Sequence, residues 1–304
     1  MILSWIVLAL ASATVSGVVN MFDKTFMHKY ARTVQTLPLL IGFAQTTIGI
    51  VVLIIFRVPE TATLSASGTA FVSGMIYGIS GSMLMWVLFR QEVSRTIPVT
   101  QTAPIFAAIF ALVFLGESVS AVQWLAILAT VSGAVLLSFR FDIGFKGIPL
   151  NRNFLILIVG AAVFAMGNIV GKIALDDLPV MYTHGLRSFG LGFVFLVVHL
   201  RPEPLRHIIE FFKERNPGLL VVGTNELIIA NSSLILMLWA LSTGPVSLVT
   251  ALVATRAMFV VVFSTLIALV WRGALGEVTT RSAIAVKVGS TALIIAGVAG
   301  IATQ

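Results

Sequence analysis

The chain alternates between long apolar runs and short polar connectors. Most runs contain about 20 residues, which at 1.5 Å per residue is enough to cross a ~30 Å hydrocarbon layer. The pattern therefore predicts an all-α membrane protein with ten transmembrane helices, near residues 2–22, 36–56, 68–89, 96–115, 119–139, 153–172, 181–200, 216–240, 245–271 and 281–302. The first run is long and no basic segment precedes it, so we interpret it as an uncleaved span rather than a signal peptide. The longest connector, 201–215, predicts a short amphipathic helix at the membrane surface.

The first and the sixth apolar segments end with the same pair of polar residues. Asn20 and Lys24 in the first recur as Asn168 and Lys172 in the sixth, 148 residues later. Their spacing places both side chains of a pair on one face of a helix, one turn apart. Each of these segments opens a set of five, and five is odd, so the two sets must cross the membrane in opposite directions. This arrangement is an inverted repeat, which is the usual architecture of a secondary transporter with its site between the repeats.

Further matches between the two sets occur in the same order along the chain. They join Trp86 with Trp239, Val93-Ser94 with Val246-Ser247, Leu115-Gly116-Glu117 with Leu275-Gly276-Glu277, and Gly133 with Gly297. The offset changes only at connectors, as expected after duplication and divergence. We therefore assign residues 1–140 to a first five-helix repeat and residues 153–302 to a second. Two small-residue pairs, Gly74-x-x-x-Gly78 and Gly167-x-x-x-Gly171, predict close contacts between helices.

Composition supports membrane insertion and excludes several other classes of protein. Hydrophobic residues make up 58% of the chain and charged residues 10%, whereas about 25% is usual for the charged fraction of a soluble domain. The net charge is +7, but the basic residues lie mostly in connectors and form no stripe with aromatic residues, which argues against nucleic-acid binding. There is no cysteine, so a disulfide framework and a thiolate metal site are excluded. We expect no cofactor.

Several short motifs lie in or beside the fourth, fifth, ninth and tenth segments. They are Pro104, Phe114-Leu115-Gly116-Glu117, Gln123 and Gly133, then Arg256-Ala257-Met258-Phe259, Leu275-Gly276-Glu277 and Gly297. With these motifs the chain resembles the EamA-type ten-helix branch of the drug/metabolite transporter superfamily over nearly its whole length. The second copy departs from the pattern because Ala257 stands where the first has Pro104. The resemblance implies a central cavity lined by helices 1–4 and 6–9, with helices 5 and 10 at the periphery.

Charged residues inside membrane spans are rare and are usually functional, because inserting one near the bilayer centre costs roughly 2.5–3.5 kcal/mol. Glu226 and Arg256 lie near the middle of the eighth and ninth segments. They form either a switchable gate, with Glu226 as a proton site, or a permanent buried ion pair. Asn225 precedes Glu226 in a polar stripe that continues at residues 231–233, which favours the wall of a wet cavity over simple interhelical hydrogen bonding.

Other polar and aromatic residues are further candidates for binding a solute. Lys24 and Lys172 either snorkel to the interface or bind an anionic group, which Arg187 could also meet. Lys287, in the last segment, is expected to snorkel. Aromatic residues either stack on a ring of the solute or pack between helices. The complete candidate set is Asn20, Lys24, Tyr77, Trp86, Asn168, Lys172, Arg187, Asn225, Glu226, Trp239 and Arg256.

These features favour a secondary transporter in the cell (inner) membrane that exports a small polar metabolite by alternating access. The basic candidates favour an amino acid, an organic acid or another anionic or zwitterionic solute. No P-loop is present, so a proton or counter-substrate would supply the drive. The alternative is a flippase for a lipid-linked sugar or phosphate. A membrane enzyme is disfavoured because the four histidines form no metal-ligand motif and no nucleophile elbow occurs. The expected partners are the solute, the lipid bilayer and the proton or counter-substrate, without nucleic acid, and we expect a monomer or weak dimer.

The basic residues also predict an orientation in the membrane. Five basic residues are embedded in the predicted spans: Lys24, Lys172, Arg187, Arg256 and Lys287. Of the others, 13 lie in connectors after the odd-numbered helices, and Arg57 alone lies on the other side. The positive-inside rule therefore places the odd connectors in the cytoplasm and both termini outside. The family resemblance implies cytoplasmic termini instead, and we follow the charges because the bias is so large.

Overall fold

The computed structural model describes residues 2–30, 35–88, 99–138, 152–270 and 281–302, and within these ranges all regular secondary structure is helical. The first half of the chain contains α1 (Ile2–Lys29), α2 (Thr36–Phe56), α3 (Leu64–Leu88), α4 (Ala103–Phe110), a π-helical turn (Ala111–Leu115) and α5 (Ala121–Ser138). The second half contains α6 (Arg152–Asp177), α7 (Val180–His199), α8 (Pro202–Lys213), α9 (Gly218–Thr224), a second π-helical turn (Asn225–Ile229), α10 (Ala230–Thr243), α11 (Val246–Ala254), α12 (Arg256–Val270) and α13 (Arg281–Ala302).

Seven helical segments of the described chain are long and apolar enough to cross a membrane. They are α1, α2, α3, α6, α7, the continuous segment from α9 to α10, and the segment from α11 into α12. Three shorter apolar segments occupy the places of the predicted fourth, fifth and tenth spans: α4 with its π-helical turn, most of α5, and the larger part of α13. The prediction of a helical, multi-pass membrane protein is therefore confirmed.

The connector 201–215 contains the predicted additional helix, α8. Its Pro204, Ile208 and Phe211 are buried, and Phe211 packs edge-on against Phe26 of α1 with ring centroids 6.2 Å apart. Arg206 on the opposite face is exposed and forms a salt bridge with Glu210 at 3.1 Å. This division between an apolar and a charged face is typical of a helix at a membrane surface.

The central helices pack mainly across the two halves of the chain. Helix α3 lies between α6 and α7, α2 packs on α7, and α4 contacts α6 and α11. Helix α1 packs on α10 and α12, while α5 and α13 pair with each other. Gly74 and Gly78 of α3 face α7 so closely that a Cβ atom at Gly74 would collide with the backbone of Arg187. Small residues therefore set the spacing of the α3–α7 contact, as the sequence predicts.

The two ends of the bundle are packed differently. We call the end that carries the connectors after the odd-numbered spans the odd face, and the opposite end the even face. Near the even face, Trp5 and Ile6 of α1 belong to a buried apolar cluster with Leu241 of α10 and Val246 of α11. A second cluster joins the start of α3 to the end of α6 and the start of α7. Apolar side chains therefore close the even face.

Candidate functional site

A cavity of about 250 Å³ lies among the central helices. Its lining residues come from all eight segments that the family resemblance implies and, in the described ranges, from neither α5 nor α13. The polar members are Ser16, Asn20, Asp23, Gln45, Tyr77, Ser80, Thr100, Gln101, Glu226, Ser233, Thr250 and Arg256. Most lie in the half of their helix that is nearer the odd face, as Asn20 and Asp23 do late in α1. The cavity is therefore displaced towards the odd face.

Two carboxylates from opposite halves of the chain meet at this cavity. The Asn225 side-chain Nδ2 donates to Asp23 Oδ1 at 2.7 Å and to Glu226 Oε1 at 3.0 Å. We call Asp23, Asn225 and Glu226 the acidic cluster. Sequence reasoning selected Asn225 and Glu226 but missed Asp23. The available signal was the position of Asp23 three residues after Asn20, which places both on one face of α1.

The surroundings of the acidic cluster are rich in hydrogen-bond acceptors. Gln45 Oε1 and Asn225 Oδ1 are buried without a hydrogen-bond partner. Gln45 is only 2% exposed and lines the cavity beside Asp23 and Glu226. Among the side chains that the structure describes, no cation forms a salt bridge with either carboxylate. A group that carries positive charge and several N–H donors, such as an ammonium, would complement this set of oxygens.

A π-helical turn positions the cluster on the second half of the chain. It spans Asn225–Ile229, between α9 and α10, and buries both Asn225 and Glu226. The side-chain amide of Asn231 donates to the backbone carbonyl of Glu226 at this turn. π-Helical turns inside α-helices are frequent at functional sites. The two consecutive polar residues Asn225 and Glu226 are thus both buried at an interruption of the regular α-helix.

Arg256 lines the same cavity at the junction of α11 and α12. The helix is interrupted there by a turn at Thr255, whose N–H donates to the Leu252 carbonyl at 3.1 Å. Glu226 and Arg256 share the cavity, yet no salt bridge joins these two described residues. The permanent ion pair is therefore wrong for this conformation, because Glu226 lies with Asp23 instead.

Arg187 is buried behind the cavity wall. Its Nη2 donates to Asn168 Oδ1 at 2.9 Å, and its guanidinium carbon lies 4.5 Å from the centre of the Tyr77 ring. Asn168 is completely buried, whereas its repeat partner Asn20 is exposed to the cavity. Tyr77 lines the cavity and separates it from Arg187. The two asparagines of the repeated pair therefore have different environments.

Lys172, from the second of the repeated pairs, does not line the cavity. Lys172 Nζ donates to the carbonyl oxygens of Leu241 at 2.7 Å and Ser242 at 3.4 Å, at the C-terminal end of α10. A cation at this end of a helix is favoured by the helix dipole. The side chain of Lys24 lies outside the described part of the chain, as does that of Lys287. Of the candidate cations whose side chains are described, Arg256 alone lines the cavity.

Trp86 and Trp239 lie on the outer surface of the bundle. Their side chains are 38% and 43% exposed, and neither lines the cavity. The two tryptophans that the sequence pairs thus both point outwards. This placement agrees with aromatic packing at a lipid surface rather than with stacking on a solute.

Glu117, in one of the repeated motifs, links the two halves of the chain. Its Oε1 accepts from the Val246 N–H at 2.7 Å, and its Oε2 accepts from the Ser247 N–H at 3.3 Å and from the Ser247 hydroxyl at 2.8 Å. Val246 begins α11, so Glu117 caps this helix from the other repeat. The equivalent Glu277 lies outside the described residues.

Comparison with known proteins agrees with this architecture. Residues 3–139 match the model of the EamA-like transporter family. Over these residues, the match bears out the resemblance to EamA-type drug/metabolite transporters.

Solved structures share the fold over almost the whole chain. One of them, titled only "Crystal structure of protein", superposes with a TM-score of 0.68 at 15% sequence identity, and the match covers 97% of this chain and 94% of that chain. At this identity the likeness shows the fold alone. No curated protein matches the sequence significantly.

Proposed function

We propose that this EamA-type protein is a secondary transporter that moves a small zwitterionic or anionic solute, such as an amino acid or an organic acid, by alternating access. The observation that carries the proposal is a cavity of about 250 Å³ that holds both the acidic cluster and Arg256. Buried charges require partners of opposite charge. A solute with an ammonium group and a carboxylate would satisfy both, with its ammonium at Asp23 and Glu226 and its carboxylate at Arg256.

We further propose that the ten helical segments form two inverted five-helix repeats, residues 1–140 and 153–302. The support is that contacts between helices occur in equivalent pairs. The contact of α3 with α6 corresponds to that of α10 with α1, and the contact of α4 with α6 corresponds to that of α12 with α1. The pairs α2–α7, α4–α11 and α5–α13 each join equivalent helices. Such pairing is expected from a two-fold axis between the repeats.

One pair of equivalent contacts is unequal. Helix α3 packs extensively on α7, whereas α2 contacts the α9–α10 segment mainly at its π-helical turn. Under the proposed symmetry these contacts would become equal only halfway through a transport cycle. Their inequality corresponds to a conformation closed at the even face and accessible towards the odd face. If the basic odd connectors lie in the cytoplasm, this is the conformation in which an exporter in the cell membrane takes up its solute.

Coupling to a proton is the remaining part of the proposal. The acidic cluster joins α1 to the α9–α10 segment, so movement between the halves would separate Asp23 from Glu226. Two carboxylates that share a site repel each other when both are ionised, which favours the binding of a proton by one of them. The cluster is therefore the proposed site at which a proton exchanges for the ammonium of the solute.

A binding screen on the purified protein tests the proposed solute class. We expect zwitterionic and anionic metabolites to raise the melting temperature, and neutral analogues of similar size to have no effect. Arg256→Gln should weaken binding of carboxylate-bearing solutes by roughly tenfold to a hundredfold, because it removes a charge-assisted hydrogen bond. Arg206→Gln is the matched control, since Arg206 is 81% exposed on α8. If Arg256→Gln weakened the binding of charged and neutral ligands equally, an anion site would be contradicted. Lipid-linked solutes would then be tested for transport into proteoliposomes.

A further inference from the structure

A second, much smaller polar pocket lies on the other side of Tyr77. It has a volume of about 10 Å³, roughly the space of one water molecule, and is lined by Tyr77 together with His184, Arg187 and Ser188 of α7. Tyr77, Leu191 and Leu234 line both this pocket and the large cavity. His184 and Ser188 lie in the first half of α7, which begins at the even face. The small pocket therefore continues the cavity towards the closed end of the bundle.

The polar groups around this pocket are buried and incompletely paired. His184 is 1% exposed and its Nε2 has no hydrogen-bond partner, and the same is true of the hydroxyl of Ser188, which is 2% exposed. Beside them, Asn168 Nδ2 is also unpartnered. Arg187 is 5% exposed and, among the described side chains, forms no salt bridge with a carboxylate. Buried groups of this kind are unfavourable in a region that stays dry and closed.

We propose that His184, Arg187 and Ser188 form an anion-binding subsite on the even side of the transport path, which is collapsed in the present conformation and separated from the cavity by Tyr77. This inference rests on the proposed function, because it requires the even face to open. The ligand class is a small anionic group, either the carboxylate of the solute or a free inorganic anion. In the open conformation the guanidinium would bind it, with the Ser188 hydroxyl and the His184 ring as further donors.

The packing around the pocket indicates how it would open. The pocket lies beside the α3–α7 contact, where Gly74 meets the backbone of Arg187 and Gly190 meets the backbone of Phe71. Under the proposed symmetry, the α3–α7 contact corresponds to the contact between α2 and the α9–α10 segment. That second contact lies beside the large cavity and is much smaller than the first. Separation of α3 from α7 would move the Tyr77 ring away from Arg187 and admit water to the unpaired groups.

Cysteine labelling tests this inference directly, because the chain contains no cysteine. Ser188→Cys in membrane vesicles of defined orientation is treated with a membrane-impermeant thiol reagent from either face. We expect reaction from the even face only, with a rate that changes roughly tenfold when a transported solute shifts the conformational equilibrium. Asn20→Cys, in the large cavity, should react from the odd face. Ala134→Cys, buried between α5 and α13, should react from neither.

The outcomes of labelling separate the subsite from the proposed function. If Ser188→Cys is unreactive from the even face in vesicles that transport a solute, the subsite is wrong and the transporter remains. If it reacts from the even face in vesicles that transport none of the zwitterions or anions tested, the opening is supported and the proposed solute class is contradicted.

Protection of the same cysteine identifies the ligand class. Sodium formate should slow labelling of Ser188→Cys severalfold, whereas uncharged formamide should not. Protection by chloride as well as by formate would indicate a site for inorganic anions, and protection by formate alone a site for the carboxylate of the solute. Arg187→Gln should abolish protection, whereas Arg187→Lys, which keeps the positive charge, should retain part of it. Partial protection in Arg187→Lys would also show that substitution at this position does not by itself misfold the protein. No protection by either anion would overturn the assignment of an anion subsite.

Discussion

At the scale of single residues, the partners of the embedded charges decide what each charge does. Glu226 lies with Asp23 and not with Arg256, because the Asn225 amide contacts both carboxylates. Lys172 is satisfied by two backbone carbonyls, whereas Arg256 faces the cavity. Lys172 therefore joins α6 to the end of α10. Arg256 remains available to bind a ligand in the cavity.

The cap formed by Glu117 gives a prediction at this scale. Glu117→Ala should lower the free energy of unfolding by about 1–2 kcal/mol, because it leaves the first N–H groups of α11 without their acceptor. Glu117→Gln keeps one acceptor oxygen and should have a smaller effect. The melting temperature of the detergent-purified protein measures both. Glu60→Ala, at an exposed position between α2 and α3, is the control, and equal melting temperatures for the two alanine variants would refute the cap.

The sequence predicted which residues are polar and embedded, but not which of them meet. The hydrophobic pattern places Asn225 and Glu226 in the predicted eighth span. It does not tell which neighbouring helix their side chains face. Asp23 was overlooked because a single acid near the end of a span is also compatible with the interface. Trp86 and Trp239 are both exposed, and periodicity does not distinguish a side chain facing lipid from one facing a cavity.

At the scale of helices, hydrophobic runs predicted positions well and interruptions poorly. The seven long segments and the amphipathic α8 lie where the sequence places them. The π-helical turn at Asn225–Ile229 and the turn at Thr255 were not predicted, since neither changes the average hydropathy of its segment. Both interruptions lie beside residues of the cavity, which is where departures from regular structure are expected.

The glycines of α3 give a prediction at the scale of helices. Gly74→Ala should lower the free energy of unfolding by about 1–3 kcal/mol, because the added methyl would collide with the backbone of Arg187. Gly68→Ala on the same helix meets nothing within 4 Å and should be neutral or slightly stabilising. Thermal unfolding of both variants measures the difference. If Gly74→Ala unfolds like Gly68→Ala, the α3–α7 contact is looser than the structure indicates.

At the scale of the whole molecule, the cavity and the basic residues lie towards the same face. The large cavity is displaced towards the odd face, and apolar clusters close the even face. The sequence places 13 Lys and Arg in the odd connectors and one on the other side. The proposed inverted repeat would look similar from both sides, so the helices alone would permit either insertion. Orientation therefore depends on the charges and not on the fold.

We predict that the odd connectors are cytoplasmic and that both termini lie outside the cytoplasm, because translocating many basic residues in short connectors is unfavourable. A reporter that is active only in the periplasm, fused after Gln304, should be active, and a cytoplasmic reporter at the same position should be silent. The cavity would then open towards the cytoplasm, in agreement with export. The opposite reporter pattern would place the termini inside, as the family resemblance implies. In that case the present conformation would open outwards, and the same acidic cluster and Arg256 would meet the solute on the periplasmic side.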